Sequence, residues 1–309
     1  MPPVRVVLDT DIGTDVDDCL ALAFLLGSPE IQLDAITTVY ADVALRARMT
    51  RKLLSLRGDA AARIPVYEGI SAPLLGLQPI YWPGHEGVGL LDAGDDARFA
   101  TGPDQHAVDF LIEHVLAHPG EIHLLAIGPL TNVAAAITRE PRFAASLKHL
   151  TIMGGWFAVT PTSSRGPAEH NIICDPEAAH IVLSSGAPMS LVPLDVTLRA
   201  LIDQSGVDAL KAKGTPYHDA VVQQLADYPG FVARGGNTFL HDPLAAATLV
   251  RPEILHWTDL AVRVELNGTF TTAMTVGFPP SDDRPATARV ALDLDRAASE
   301  AFIAERIAN

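Results

Sequence analysis

The sequence predicts an α/β fold in which helices cover both faces of an open, mostly parallel sheet. Three observations carry the prediction. Short apolar runs alternate with longer segments of helical periodicity. From the N-terminus to about residue 192 the alternation is strand, helix, strand, the rhythm of βαβ units. The polar residues with chemical potential fall just beyond the apolar runs, where parallel sheets bind their ligands. Together they describe a Rossmann-like layer in a single domain.

Taken in order, Val4–Leu8 is the first strand, and a helix starts at about Asp17 and carries an apolar pattern from Leu20 to Leu26. Leu33–Val39, rich in β-branched residues, is the second strand, followed by a helix from Val43 to about Leu56. Pro65–Tyr67 is a short strand, Gln105–Ala117 a helix and Ile122–Ile127 a strand. A helix near Thr131–Ile137 precedes the strand Leu150–Met153. Pro176–Leu183 has Pro at its start, as helices favour, and leads to the strand Met189–Val192. The C-terminal third is more mixed, with a helix-like stretch at Tyr217–Asp227 and the segment NTFLHDPLAAATLV. Strand-like runs follow at Ala261–Leu266 and Ala288–Leu292, and Asp295–Ile307 closes as an amphipathic helix. No linker interrupts the pattern, so residues 1–309 are expected to form one domain. Two stretches, Gly69 to Gly102 and Trp156 to His170, lack periodicity and are long enough to be lids or binding loops.

Composition excludes several classes. With 37 acidic against 22 basic residues the formal charge is −15, which argues against the basic face that nucleic-acid binding requires. The apolar runs fall short of the ~20 residues that span a bilayer, and the N-terminus carries no secretory pattern. Cys19 and Cys174 sit in apolar surroundings and read as small core residues. A cytoplasmic protein without membrane contact is expected.

The strongest chemical signal is VVLDTDIGTDVDDCLALAFLL, where Asp9, Asp11, Asp15, Asp17 and Asp18 crowd between two apolar elements. Neighbouring carboxylates repel, and burying each is costly unless it is paired or bound to a cation. Helix capping accounts for one or two of them, not five. A hard divalent cation, Ca²⁺ or Mg²⁺, satisfies the group. The EF-hand pattern does not apply: counted from Asp9, position six is Thr14 and position twelve Leu20. A strand ending in DxDxT also suits a Mg²⁺-dependent phosphohydrolase with Asp9 as nucleophile, a reading that leaves Asp17 and Asp18 without a role. Its required lysine is also missing, since Lys52, Lys148, Lys211 and Lys213 fall at no convincing strand end.

These residues resemble the inosine–uridine-preferring nucleoside hydrolases, whose N-terminal strand leads into DxDPGxDD and an apolar helix. The chain has DTDIGTDVDD, with Ile12 for the Pro and two extra residues before the aspartate pair. TTVYADV at 37–43, LLAIGPLTNVA at 124–134, MGGW at 153–156, AEHNIICDPEAA at 168–179, PLDVT at 193–197 and FLHDPLAAA at 239–247 follow in the family's order. The resemblance implies hydrolysis of the N-glycosidic bond of ribonucleosides with one Ca²⁺ per subunit. It implies Asp11, Asp18, Asp242 and the backbone carbonyl of Ile127 as metal ligands. Asp11 would also act as base toward a metal-bound water, and His241 would assist the leaving base. Asp17, Asp42, His85, Met153, Glu169 and Asn171 would contact substrate, with Glu169 and Asn171 expected on one side of an extended segment. A homodimer or homotetramer is implied as well.

The chain departs from the family pattern in places. Asp42 stands for the usual Asn, TPTSSRGP replaces a segment that normally supplies another Asn, and His170 replaces a Phe. Arg165 is a candidate to compensate the charge of Asp42. Trp82 and Trp156 read equally as base-stacking groups or as loop anchors, and Asp15 as a solvated turn residue. A non-catalytic nucleoside- or ribose-binding protein that keeps the metal site is the alternative of a different class.

Overall fold

The computed structural model describes residues 2–158 and 166–309. The first half runs β1 (Val4–Thr10), α1 (Asp17–Leu26), β2 (Ile31–Thr38), α2 (Val43–Arg57), β3 (Val66–Glu68), α3 (Asp95–Arg98), α4 (Ala107–Ala117), β4 (Ile122–Ala126), α5 (Thr131–Arg139), α6 (Phe143–Ser146) and β5 (His149–Met153). Then come α7 (His170–Cys174), α8 (Pro176–Leu183), β6 (Met189–Val192), α9 (Leu194–Thr197), β7 (Leu201–Ile202), α10 (Gln204–Lys211), α11 (Pro216–Asp227), α12 (Pro229–Ala233) and β8 (Thr238–Phe239). The chain closes with α13 (His241–Ala247), β9 (Leu255–Val264), β10 (Thr275–Phe278), β11 (Ala288–Leu294) and α14 (Arg296–Ile307).

Nine strands form one sheet in the order β10-β9-β11-β6-β5-β4-β1-β2-β3. From β3 to β11 all neighbours are parallel, while β9 and β10 continue the sheet antiparallel. Side chains alternate between its faces. Val6 and Leu8 pack with α1, α2, α13 and α14, and Val7 packs with α4, α5 and α8 on the other side. Two apolar cores therefore sandwich the sheet, as expected for a doubly wound layer. The connection runs outward to β2 from one side of β1 and to β4 from the other, so β1 and β4 flank the topological switch point. The crevice beyond their carboxyl ends is where such sheets bind ligands.

The α/β class, the parallel sheet and most elements fall where the sequence puts them. Others differ. β9 begins at Leu255 rather than Ala261, because His256 and Asp259 are polar and exposed and give no apolar signal. β7, β8 and β10 have no counterpart among the strands the sequence predicts, nor do α3, α6, α9, α10 and α12 among its helices. The segment at Glu169–Asn171 is not extended: it turns into α7 at His170. No helix among the described residues is long and apolar enough to cross a membrane.

Candidate active site

The end of β1 supplies the first wall. Asp9 is buried, and its Oδ1 accepts from Thr37 Oγ1 at 2.5 Å and from Asn132 Nδ2 at 2.8 Å. Burial pushes its pKa up to about 7, and its Oδ2 has no hydrogen-bond partner among the described residues. Asp9 thus sits behind the crevice as a support, out of reach as a nucleophile. Thr10 Oγ1 accepts from Ile12 N and donates to Asp18 Oδ1, bending the chain back toward α1. The bend passes through Gly13 at φ 117°, a conformation open to glycine.

Asp17 and Asp18 occupy the first turn of α1, but the N-cap is Val16, whose side chain makes no capping bond. Both carboxylates are buried beside that of Asp242 from the first turn of α13, and oxygens of the three lie within 4.8 Å of one another. Burial raises the pKa values of Asp17, Asp18 and Asp242 well above the usual range, and mutual repulsion, including that from Asp11, adds to the rise. Asp11 is raised mainly by burial. Buried carboxylates so placed fit a hard divalent cation with oxygen ligands. The tightest trio contains Asp17, which the motif reading places on the sugar, while Asp11 lies beside it in the same cavity.

β4 and β5 supply the floor. Ile127 follows β4, and its carbonyl accepts from Asn171 Nδ2 at 2.9 Å; the same amide bonds the Met153 carbonyl at the end of β5. Glu169 caps α7, taking the backbone N–H groups of Asn171, Ile172 and Gly155 at 2.8–3.2 Å. Burial still carries its pKa up to about 7, against those three bonds. The helical turn accordingly brings Glu169 and Asn171 into the cavity by capping, not by strand alternation.

His241 opens α13, with Nδ1 bonded to Thr197 Oγ1 at 2.7 Å. Its surroundings lower its pKa to about 4, mainly by burial, so the ring is neutral near pH 7. His85 reaches in from the Gly69–Gly102 stretch, Nε2 bonding the Thr14 carbonyl at 2.9 Å. Asp15 is no solvated turn residue: it lines the cavity and accepts from the Tyr228 hydroxyl at 2.5 Å.

One cavity of about 420 Å³, within the range of small-molecule sites, is lined by Asp11, Asp17, Asp18, His85, Ile127, Met153, Glu169, Asn171, His241 and Asp242. Asp42 is the exception. It is exposed and caps α2 through Leu45 N at 2.8 Å, so it does not line this cavity. Arg165 lies outside the described residues. Trp156 lines the cavity, whereas Trp82 stacks near the Arg46 guanidinium at 5.2 Å. His170 also lines it. Sequence reasoning missed Tyr81 and Tyr228, since each stands before a proline-containing turn with no chemical pattern around it. It also missed Arg46, one of many surface-like positions on a charged helix, which is fully buried.

Residues 6–301 match the sequence profile described as inosine-uridine preferring nucleoside hydrolase. The chain is 32% identical over 302 residues to the inosine-uridine preferring nucleoside hydrolase of Leishmania major, covering 95% of each. It is 34% identical over 315 residues to the non-specific ribonucleoside hydrolase RihC of Salmonella agona, covering 98% of this chain and 97% of that one. A solved structure, the purine-preferring ribonucleoside hydrolase from Gardnerella vaginalis, is similar with a TM-score of 0.84 at 28% identity over 98% of both chains.

Proposed function

The chain belongs to the inosine-uridine preferring nucleoside hydrolase family, and from that premise we propose that it cleaves the N-glycosidic bond of ribonucleosides with water, releasing ribose and a free nucleobase. One observation carries the reading: apart from Asp42, every site residue named from the motifs faces one cavity at the switch point between β1 and β4. Residues 1–309 act as one domain in this proposal.

The cofactor is Ca²⁺. Asp11, Asp18, Asp242 and the Ile127 carbonyl would hold it, with Asp17 adjacent, an all-oxygen set suited to that ion. A cation held there would draw in ribose hydroxyls and make water more acidic. Asp11 takes the proton of the attacking water, which requires its carboxylate ionised and within hydrogen-bond reach of that water. Asp17 accepts from a ribose hydroxyl and fixes the sugar. Glu169, held by three backbone amides, presents negative charge toward the oxocarbenium-like transition state. Asn171 is pinned to the ends of β4 and β5, and with Met153 it sets the depth of the sugar.

The other end of the cavity receives the base. With Nδ1 of His241 on the Thr197 hydroxyl, Nε2 is the nitrogen left for the leaving group. A neutral ring there polarises the base by hydrogen bonding. His85 closes the same end from its loop. Purified protein incubated with inosine, uridine, cytidine and guanosine tests the reading. Release of ribose from at least one supports it; saturable binding of all four without turnover favours a binding protein instead.

A further inference from the structure

Arg46 is the largest fully buried side chain of the described residues, at 0% exposure. Burying a charge is expensive, and an apolar side chain of similar volume would fill the space without that cost. Its hydrogen-bond partners are not carboxylates. Nε donates to the Tyr40 carbonyl at 2.8 Å, Nη1 to the Asp11 carbonyl and to that of Ile12 at 2.9 Å, and Nη2 to Thr14 Oγ1 at 3.0 Å. Trp82 lies over its plane at 5.2 Å. One side chain therefore grips the turn after β1, the turn after β2 and the Gly69–Gly102 loop.

Both turns need holding. Tyr40 and Ala41 adopt left-handed φ values of 68° and 59° without being glycine, a strained pair that persists only when its surroundings fix it. The turn after β1 carries Asp11 and then Thr14, and Gly13 between them packs so closely on α2 that an added Cβ would fall 2.9 Å from Met49 Sδ. A planar fork of donors reaches several carbonyls at once, which an ammonium on a flexible stem does not.

We propose that Arg46 is a positioning residue for the cation site: its guanidinium fixes the turn between β1 and α1 in the shape that presents Asp11 to the cavity. The inference rests on the Ca²⁺ reading above and concerns affinity rather than chemistry. Groups that orient metal ligands from behind commonly change affinity 10- to 100-fold when removed.

Calorimetric Ca²⁺ titration of the parent, Arg46→Lys and Arg51→Lys, with thermal unfolding of each in chelator, tests it. Arg51 is the control: on the same helix it holds the carbonyls of Phe99, Ala100 and Val66, away from the cavity. Arg46→Lys is expected to weaken Ca²⁺ binding at least about tenfold. Arg51→Lys is expected to lower the melting temperature while binding Ca²⁺ like the parent. Should Arg46→Lys not fold, Thr14→Val removes the Nη2 acceptor, together with a longer bond to Glu86 Oε1 at 3.3 Å, and is expected to weaken binding about threefold. Parent-like affinity in Arg46→Lys, or in Thr14→Val where that one serves, overturns the inference, as does an equal loss in Arg51→Lys. A parent that binds no Ca²⁺ overturns the cation reading first and this inference with it.

Discussion

Asp11 follows the end of β1 and lines the cavity with Asp17, Asp18 and Asp242, and in the proposed mechanism it is the group that receives a proton from water. Replacing it with Ala is expected to lower kcat by about 10²- to 10⁴-fold, the usual worth of a positioned base, with the fold intact by circular dichroism. Near-normal turnover would remove Asp11 from the mechanism. Asp42 behaves oppositely. Its carboxylate caps α2 from the surface, and Asn caps as well as Asp, so Asp42→Asn is expected to leave kcat/KM within about twofold. A tenfold change in steady-state kinetics would show that Asp42 reaches the substrate after all. The acidic wall of the site was legible in the sequence, because five aspartates between two apolar elements carry more charge than a helix cap can use. Which way each one turns was not, since Asp42 and Asp15 owe their directions to partners, Leu45 N and the Tyr228 hydroxyl, that sequence spacing does not reveal.

Elements place these residues through their ends. Glu169 caps α7, so the same carboxylate that lines the cavity also orders its own segment. α9 does similar work for the neighbouring stretch: Asp195 accepts from Phe157 N at 2.9 Å and Ala158 N at 2.7 Å, anchoring the chain just past the cavity-lining Trp156. Asp195→Ala is therefore expected to raise KM several-fold with a smaller effect on kcat, because it loosens a wall and leaves the reacting groups in place. An unchanged KM would show that the wall holds without it. The long strands and helices were readable from periodicity. Short capped turns such as α7, and the polar strand β9, were not, because their stability comes from hydrogen bonds and neighbours rather than from an apolar pattern.

At the scale of the whole molecule, the strand order brings Asp11, Ile127, Glu169, His241 and Asp242 together from segments far apart in sequence. The consequence is a fold that concentrates buried acid. Asp11, Asp17, Asp18 and Asp242 all have folded pKa values above the ordinary carboxylate value of 3.8, first through burial and, for the last three, through mutual repulsion. A raised carboxylate contributes stability that is full below 3.8 and is lost as pH rises through the folded value. Without a cation these four groups therefore weigh against the fold increasingly from mild acid to neutrality, and a bound cation reverses that. Chelation is expected to lower the melting temperature at about pH 7.5, where Ca²⁺ at 100 times its Kd stabilises by about 2.7 kcal/mol. The gap is expected to narrow toward about pH 5.5 as protons take the cation's place; a gap that widens on acidification, followed by calorimetry, would contradict the assignment. The most direct test of the whole account follows ribose release from a single turned-over nucleoside at neutral pH, first with Ca²⁺, then in chelator, then after Ca²⁺ is restored. Ribose and free base are expected in equal amounts, with loss of both in chelator and recovery on restoration; undiminished release in chelator would contradict hydrolysis at a Ca²⁺ site.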